Sequence, residues 1–133
     1  MDRTLHPLTV LAVTDVERCA TFYEAVFGWT RRADFPIYVE LETHDGRGVA
    51  FYERHGFGQN TGQVPEAVPA GALTGAELYL HCDDLEAVIA RLTSVGAEVL
   101  RPRTRKPWGD EVAYFADPER NVLAVAKRSD DTR

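Results

Sequence analysis

Two short stretches of alternating residues carry most of the side chains in this chain that could do chemistry. In Ile37–Thr43, Tyr38 and Glu40 alternate with Ile37, Val39 and Leu41; in Glu77–Cys82, Glu77, Tyr79 and His81 alternate with Leu78 and Leu80. Alternation with period two is the signature of a strand with one buried face. The same parity puts Tyr52 with the first set and Tyr114 with the second, and Trp108 stands nearby in Lys106-Pro-Trp-Gly-Asp-Glu111. Tyrosine and tryptophan offer broad flat contact and an electron-rich ring face. Glu40 and Glu77 offer counter-charge, so together they suit a planar or cationic small molecule. The plain alternative is that these tyrosines only fill a sheet face with their hydroxyls toward water. Glu77 has two readings of its own. A carboxylate in apolar surroundings titrates near neutrality and serves as a general base, and a carboxylate at an exposed strand end does nothing.

Other chemistry finds less support. His81 stands close in sequence to Asp83 and Asp84, but Asp83 is needed to cap a helix, so a structural histidine is expected. His44 and His55 fall in turn or loop contexts. Cys19 and Cys82 lack C-x-x-C spacing, fall on core-facing positions and are expected to be inert buried thiols in a reducing compartment. There is no G-x-S-x-G, no phosphate-cradling glycine loop and no zinc pattern of Cys and His. The basic run Arg101–Lys106 reads as a solvated hairpin loop, or as a sheet edge guarded by charge.

The elements that would position these residues are written twice. Leu8–Val13 is a β-branched apolar run. Thr14-Asp-Val-Glu17 then reads as a capping box, and Val16, Cys19, Ala20, Tyr23, Val26 and Phe27 recur at helical spacing up to Gly28. Strand-like stretches follow at Trp29–Asp34, Ile37–Thr43 and Val49–Arg54, with a hairpin turn at Asp45-Gly46. The order repeats from Glu77: a strand, a second box at Asp83-Asp-Leu-Glu86, a helix through Leu85, Val88, Ile89 and Leu92 to Gly96, then strands at Ala97–Arg101, Glu111–Ala116 and Val122–Lys127. The halves therefore match as βαβββ modules, about 5–54 and 76–128, with a glycine- and proline-rich connection over 55–75 that is either a linker or a functional loop. Phe57 in that connection is a candidate lid residue. Parity predicts that the apolar set of each sheet packs on its helix, Ile37, Phe51 and Phe115 included, and that the polar set lines a concave side.

Composition sets the limits. Hydrophobic residues make up 44% and charged residues 27%, as in a globular domain. The formal charge of −6 argues against nucleic acid and anionic membranes as partners. No segment approaches the roughly 20 apolar residues of a membrane span, and the first residues lack the apolar run of a signal peptide, so a cytoplasmic location is expected.

Three segments resemble a known superfamily. Thr14–Trp29 (TDVERCATFYEAVFGW), Asp83–Val99 (DDLEAVIARLTSVGAEV) and Phe115–Val125 (FADPERNVLAV) are similar to the vicinal oxygen chelate proteins, which include glyoxalase I, extradiol dioxygenases, and fosfomycin and bleomycin resistance proteins. The resemblance implies an α+β fold in which two βαβββ modules form a cupped eight-stranded mixed sheet with helices on the outer face, and it implies a homodimer. In metal-dependent members it implies a cavity around one divalent ion, held by a His on each module's first strand and a Glu on the last. Carried over residue by residue, the first-strand positions fall on Leu8 and Glu77, and the last-strand position on Ala124. The counterpart in module one falls near Ala50, or on Tyr52 or Glu53 after a slip of one or two residues. Leucine and alanine carry no donor, and a divalent site needs about three protein ligands. No metal is therefore expected; His6 could stand in for Leu8, and a rebuilt site would draw on His6, Glu53, Glu77 or His81. The resulting expectation is a cofactor-free protein that binds a small aromatic or cationic molecule through Tyr38, Glu40, Tyr52 and Glu77 of this set and through Tyr79, His81, Trp108 and Tyr114. The other expectation is a divergent metal-dependent lyase, isomerase or dioxygenase, or metal-free acid–base work by Glu77.

Overall fold

A computed structural model describes residues 2–3 and 6–129. Among them the order is β1 (Leu8–Val13), α1 (Val16–Phe27), β2 (Thr30–Phe35), β3 (Tyr38–Glu42), β4 (Gly48–Glu53), α2 (Arg54–Thr61), β5 (Glu77–His81), α3 (Leu85–Ser94), β6 (Glu98–Arg105), β7 (Glu111–Ala116) and β8 (Val122–Lys127). The fold is α+β and mixed, as expected. The chain divides into two compact units, Met1–Ala67 and Val68–Arg133. Each holds its own four-stranded sheet, in the orders β1-β4-β3-β2 and β5-β8-β7-β6. The eight strands are thus two sheets, not one continuous sheet.

In the first unit β1 pairs with β4 in parallel and the other pairs are antiparallel. Helix α1 packs on β3 and β4. Its buried stripe of Val16, Cys19, Ala20, Tyr23 and Val26 meets Val39, Leu41 and Phe51. Tyr23 is fully buried, 5.0 Å from the Phe51 ring and stacked 5.8 Å from Trp29. Gly28, at φ 71°, ends the helix in the left-handed conformation that glycine adopts freely, and its N–H donates to the Glu24 carbonyl.

The second unit repeats this plan, with α3 on β8. Its buried Leu85, Val88 and Leu92 belong to the same core side as Phe115, Leu123 and Val125. The Asp117-Pro-Glu-Arg-Asn121 turn supports itself. The Asp117 carboxylate accepts from the Glu119 and Asn121 amides at 2.8 and 2.9 Å and from the Asn121 side chain at 3.0 Å.

Several expectations need correction. The helices are capped by Asp15 and Asp84, not by Thr14 and Asp83; each carboxylate accepts from the amide three residues on. Glu17 does not close a capping box, because Arg31 takes it at 2.7 Å. Ile37 is exposed ahead of β3 rather than packed beneath α1. The connection at 55–75 contains most of α2. The basic run is not a loop: Arg101–Arg105 lies in the edge strand β6, so the charge-guarded edge is the form realised. Cys19 is buried, whereas Cys82 is half-buried, and burial pushes its thiol pKa up.

Candidate functional site

Each unit gathers the sequence-picked residues on the sheet face opposite its first helix. On the first unit Tyr38 and Tyr52 are directly paired across β3 and β4, with ring centroids 5.2 Å apart, edge to face. Glu40 lies two residues along the same face and accepts from the Tyr38 hydroxyl at 2.5 Å. Arg32 on β2 donates to the other Glu40 oxygen and, at 3.0 Å, to the Gly46 carbonyl. The guanidinium reaches this position because Gly48 has no side chain; a Cβ there would run into it. Glu40 is therefore already paired, and the Tyr38 hydroxyl and Arg32 hold its carboxyl below the usual range against the opposing effect of burial. Burial, followed by the bond to Glu40, pushes Tyr38 up to about 12. Helix α2 closes one side of this patch. Gly56 sits against the Tyr52 ring, Phe57 meets that ring edge-on at 6.2 Å, and the Asn60 amide donates to the Tyr52 hydroxyl at 3.2 Å.

The second unit builds a longer chain of bonds. The Trp108 indole N–H donates to the Tyr79 oxygen at 3.0 Å, and the Tyr79 hydroxyl donates to Asp110 Oδ2 at 2.6 Å. His81 Nε2 lies 2.9 Å from the same oxygen. An ionised carboxylate only accepts, so Nε2 is the donor in this bond. Asp110 is buried to 7% exposure, and Tyr79 foremost, then His81, holds its carboxyl below the usual range. Both bonds fall on Oδ2, and the bonds seen among the described residues leave Oδ1 unused. Burial first, then Asp110, pushes Tyr79 up. Val112, Ala124 and Ala126 are fully buried beneath Tyr79 and Tyr114, so these two rings also cover a small apolar cluster, as the plain alternative expected.

The eight residues thus separate by unit. Tyr38, Glu40 and Tyr52 come together in the first, and Tyr79, His81, Trp108 and Tyr114 in the second. Glu77 stands exposed at the start of β5, without the apolar surroundings that a general base requires. Its charge acts on Tyr114, whose hydroxyl is pushed up mainly by burial and then by Glu77. The partner of His81 is Asp110, not Asp83 or Asp84. His44 Nε2 donates to the Phe27 carbonyl at the end of α1, and His55 pairs with Glu53, both structural roles. Sequence reasoning missed Arg32 and Asp110. Parity points to Arg32 only once the bulge between Arg31 and Ala33 is known. Asp110 precedes β7, and nothing local marks its return onto Tyr79.

The family model described as a Glyoxalase-like domain matches residues 7–129. This chain belongs to the glyoxalase-like domain family. A glyoxylase-like domain-containing protein of Didymella fabae is 29% identical over 122 residues, which is 89% of each chain. Among solved structures, a glyoxalase-related enzyme from Fulvimarina pelagi superposes with a TM-score of 0.78 at 22% identity, over 94% of this chain and 88% of that one. A glyoxalase/bleomycin resistance protein/dioxygenase from Nocardioides gives 0.77 at 20% identity, over 98% and 87%. These likenesses establish the fold.

The metal positions implied by the family resemblance are tested by register. Leu8 pairs with Gly48 and Val10 with Ala50; Glu77 pairs with Val122 and Tyr79 with Ala124. Leu8 and Glu77, and likewise Ala50 and Ala124, therefore occupy equivalent places in the two glyoxalase-like modules, and only Glu77 has a donor. Glu53, the alternative after a slip, accepts from the His55 and Gly56 amides at the start of α2. His6 is exposed ahead of β1. Among the described residues no three His, Cys, Asp or Glu side chains are grouped to hold a metal. The donor set does not fit a divalent ion. No described helix is long and apolar enough to cross a membrane.

Proposed function

We propose that this glyoxalase-like protein captures a small aromatic or cationic molecule without a metal, a cofactor or a chemical step, as a sequestration or resistance protein does. The observation that carries the reading is the second unit's bonded chain from Trp108 through Tyr79 to Asp110. It fixes a 56% exposed indole beside a carboxylate oxygen that no side chain among the described residues has taken. A fixed ring loses little freedom on stacking, and a carboxylate already ordered attracts a cation at little further cost. Tyr38 and Tyr52 of the first unit offer a second aromatic surface, where Arg32 has taken the charge of Glu40. Glu77 adds negative charge near Tyr114. The reading includes one domain over 1–133, a homodimer, a cytoplasmic location and no nucleic-acid or membrane partner. The Nocardioides relative is named in part for bleomycin resistance, which is consistent with a resistance role. A metal-dependent lyase, isomerase or dioxygenase would need donors that Leu8, Ala50 and Ala124 lack.

Calorimetric titration with phenyltrimethylammonium tests this. Saturable binding that a chelator leaves unchanged, and that Trp108→Ala weakens about tenfold, is the expected result. Equal affinity in Trp108→Ala, or no heat at any concentration, sinks the assignment.

A further inference from the structure

The turn between β6 and β7 sends three side chains back onto one sheet face. The Lys106 amide donates to the Asp110 carbonyl at 2.8 Å, and the Gly109 amide to the Lys106 carbonyl at 2.9 Å. Gly109 takes φ 101°, a conformation that an L side chain resists. From this closed turn Trp108 reaches Tyr79, and Asp110 reaches Tyr79 and His81. Lys106 reaches Tyr114. Its ammonium lies 4.9 Å from the ring centroid, and among the described residues that ring is the partner it has.

A cation over an aromatic face is what the proposed capture site would impose on a cationic ligand. Here one aromatic face of the same unit, the Tyr114 ring, is already held by a cation tethered to the protein. Tethering raises its local concentration into the millimolar range, so a free cation must outcompete it. A lysine ammonium is compact and sits on a flexible stem, so a neutral ring can share the site by moving it aside, whereas a cation must also overcome its charge.

We propose that Lys106 is a specificity-determining residue: its ammonium, seated on Tyr114, is a built-in competitor that discriminates against cationic ligands relative to neutral aromatic ones of the same shape. The inference rests on the capture reading and sharpens it. The favoured ligand is neutral and aromatic, and a cationic one of the same shape binds more weakly.

The test compares phenyltrimethylammonium with its neutral isostere tert-butylbenzene by calorimetry, on the full chain and on Lys106→Gln and Lys106→Arg. Neither substitution touches the backbone bonds of the turn, and melting temperature verifies each fold. Lys106→Gln is expected to bind the cation about fivefold to tenfold tighter, with the neutral probe within twofold. Lys106→Arg, which keeps a cation on the ring and stacks on it at least as well, should bind the cation no more tightly than the parent. An unchanged cation-to-neutral ratio in Lys106→Gln overturns the inference while leaving the capture reading intact. Absence of binding by either probe to all three proteins overturns both.

Discussion

At the scale of single residues Asp110 is the carboxylate on which Tyr79 and His81 converge. Its folded pKa lies below the usual carboxylate value, held there by the Tyr79 hydroxyl first. A depressed carboxylate stabilises the fold above its unfolded pKa of about 3.9, and that contribution disappears as pH falls through the lower folded value. Asp110→Asn is therefore expected to be less stable than the parent from pH 7 down to about 5, and the gap should close in strong acid. Urea unfolding of both proteins along a pH series measures it; a gap that stays constant with pH would assign the loss to packing instead. Tyr38 moves the other way. With its hydroxyl pushed up to about 12, it ionises later than an ordinary tyrosine near 10. The folded state holds that proton more tightly, so its share of stability falls between those two values. Tyrosinate absorbance should lose a component that titrates above the ordinary tyrosine range in Tyr38→Phe.

At the scale of elements, α2 is the one that local sequence concealed. Arg54–Thr61 contains two glycines, a composition that reads as loop, and its hydrophobic content is low. It forms because Glu53 caps it and because the glycines permit close approach. A Cβ on Gly58 would lie 2.9 Å from the Val64 Cα and 3.1 Å from the Gln63 carbonyl, backbone atoms that cannot swing aside. Gly58→Ala should cost about 1–3 kcal/mol through this overlap, more than the roughly 1 kcal/mol that alanine gains in a helix. The loss would appear as a lower urea midpoint with an unchanged slope. Where periodicity was strong, in α1, α3 and the alternating strands, the elements and their buried faces were legible. Caps slipped by one residue because Thr-Asp and Asp-Asp each offer two adjacent capping side chains, and only backbone geometry chooses between them. Strand β6 outran its expected end because Pro102 is tolerated at a sheet edge. The two aromatic groups were legible from parity. The Asp110 carboxylate was not, since a turn returns it to the face and no periodicity encodes a turn.

At the scale of the whole molecule, one plan is used twice with different side chains at matched places. The equivalence of Leu8 with Glu77 and of Ala50 with Ala124 leads to a direct expectation. Elemental analysis of chelator-free protein should find no stoichiometric divalent metal, and added Zn²⁺ or Ni²⁺ should leave the melting temperature unchanged. One tightly held ion per chain would mean that donors outside these positions have been recruited. The pair of tryptophans has a further consequence. Trp29 is buried at 6% exposure, stacked 4.8 Å from Phe27 and 5.8 Å from Tyr23, while Trp108 stands in water. Their emission should therefore separate by colour, with a blue component from Trp29 that survives iodide and a red component from Trp108 that iodide extinguishes. Denaturation would shift the blue component and occupancy of the indole would protect the red one, so the chain carries its own two-channel optical gauge and needs no attached dye.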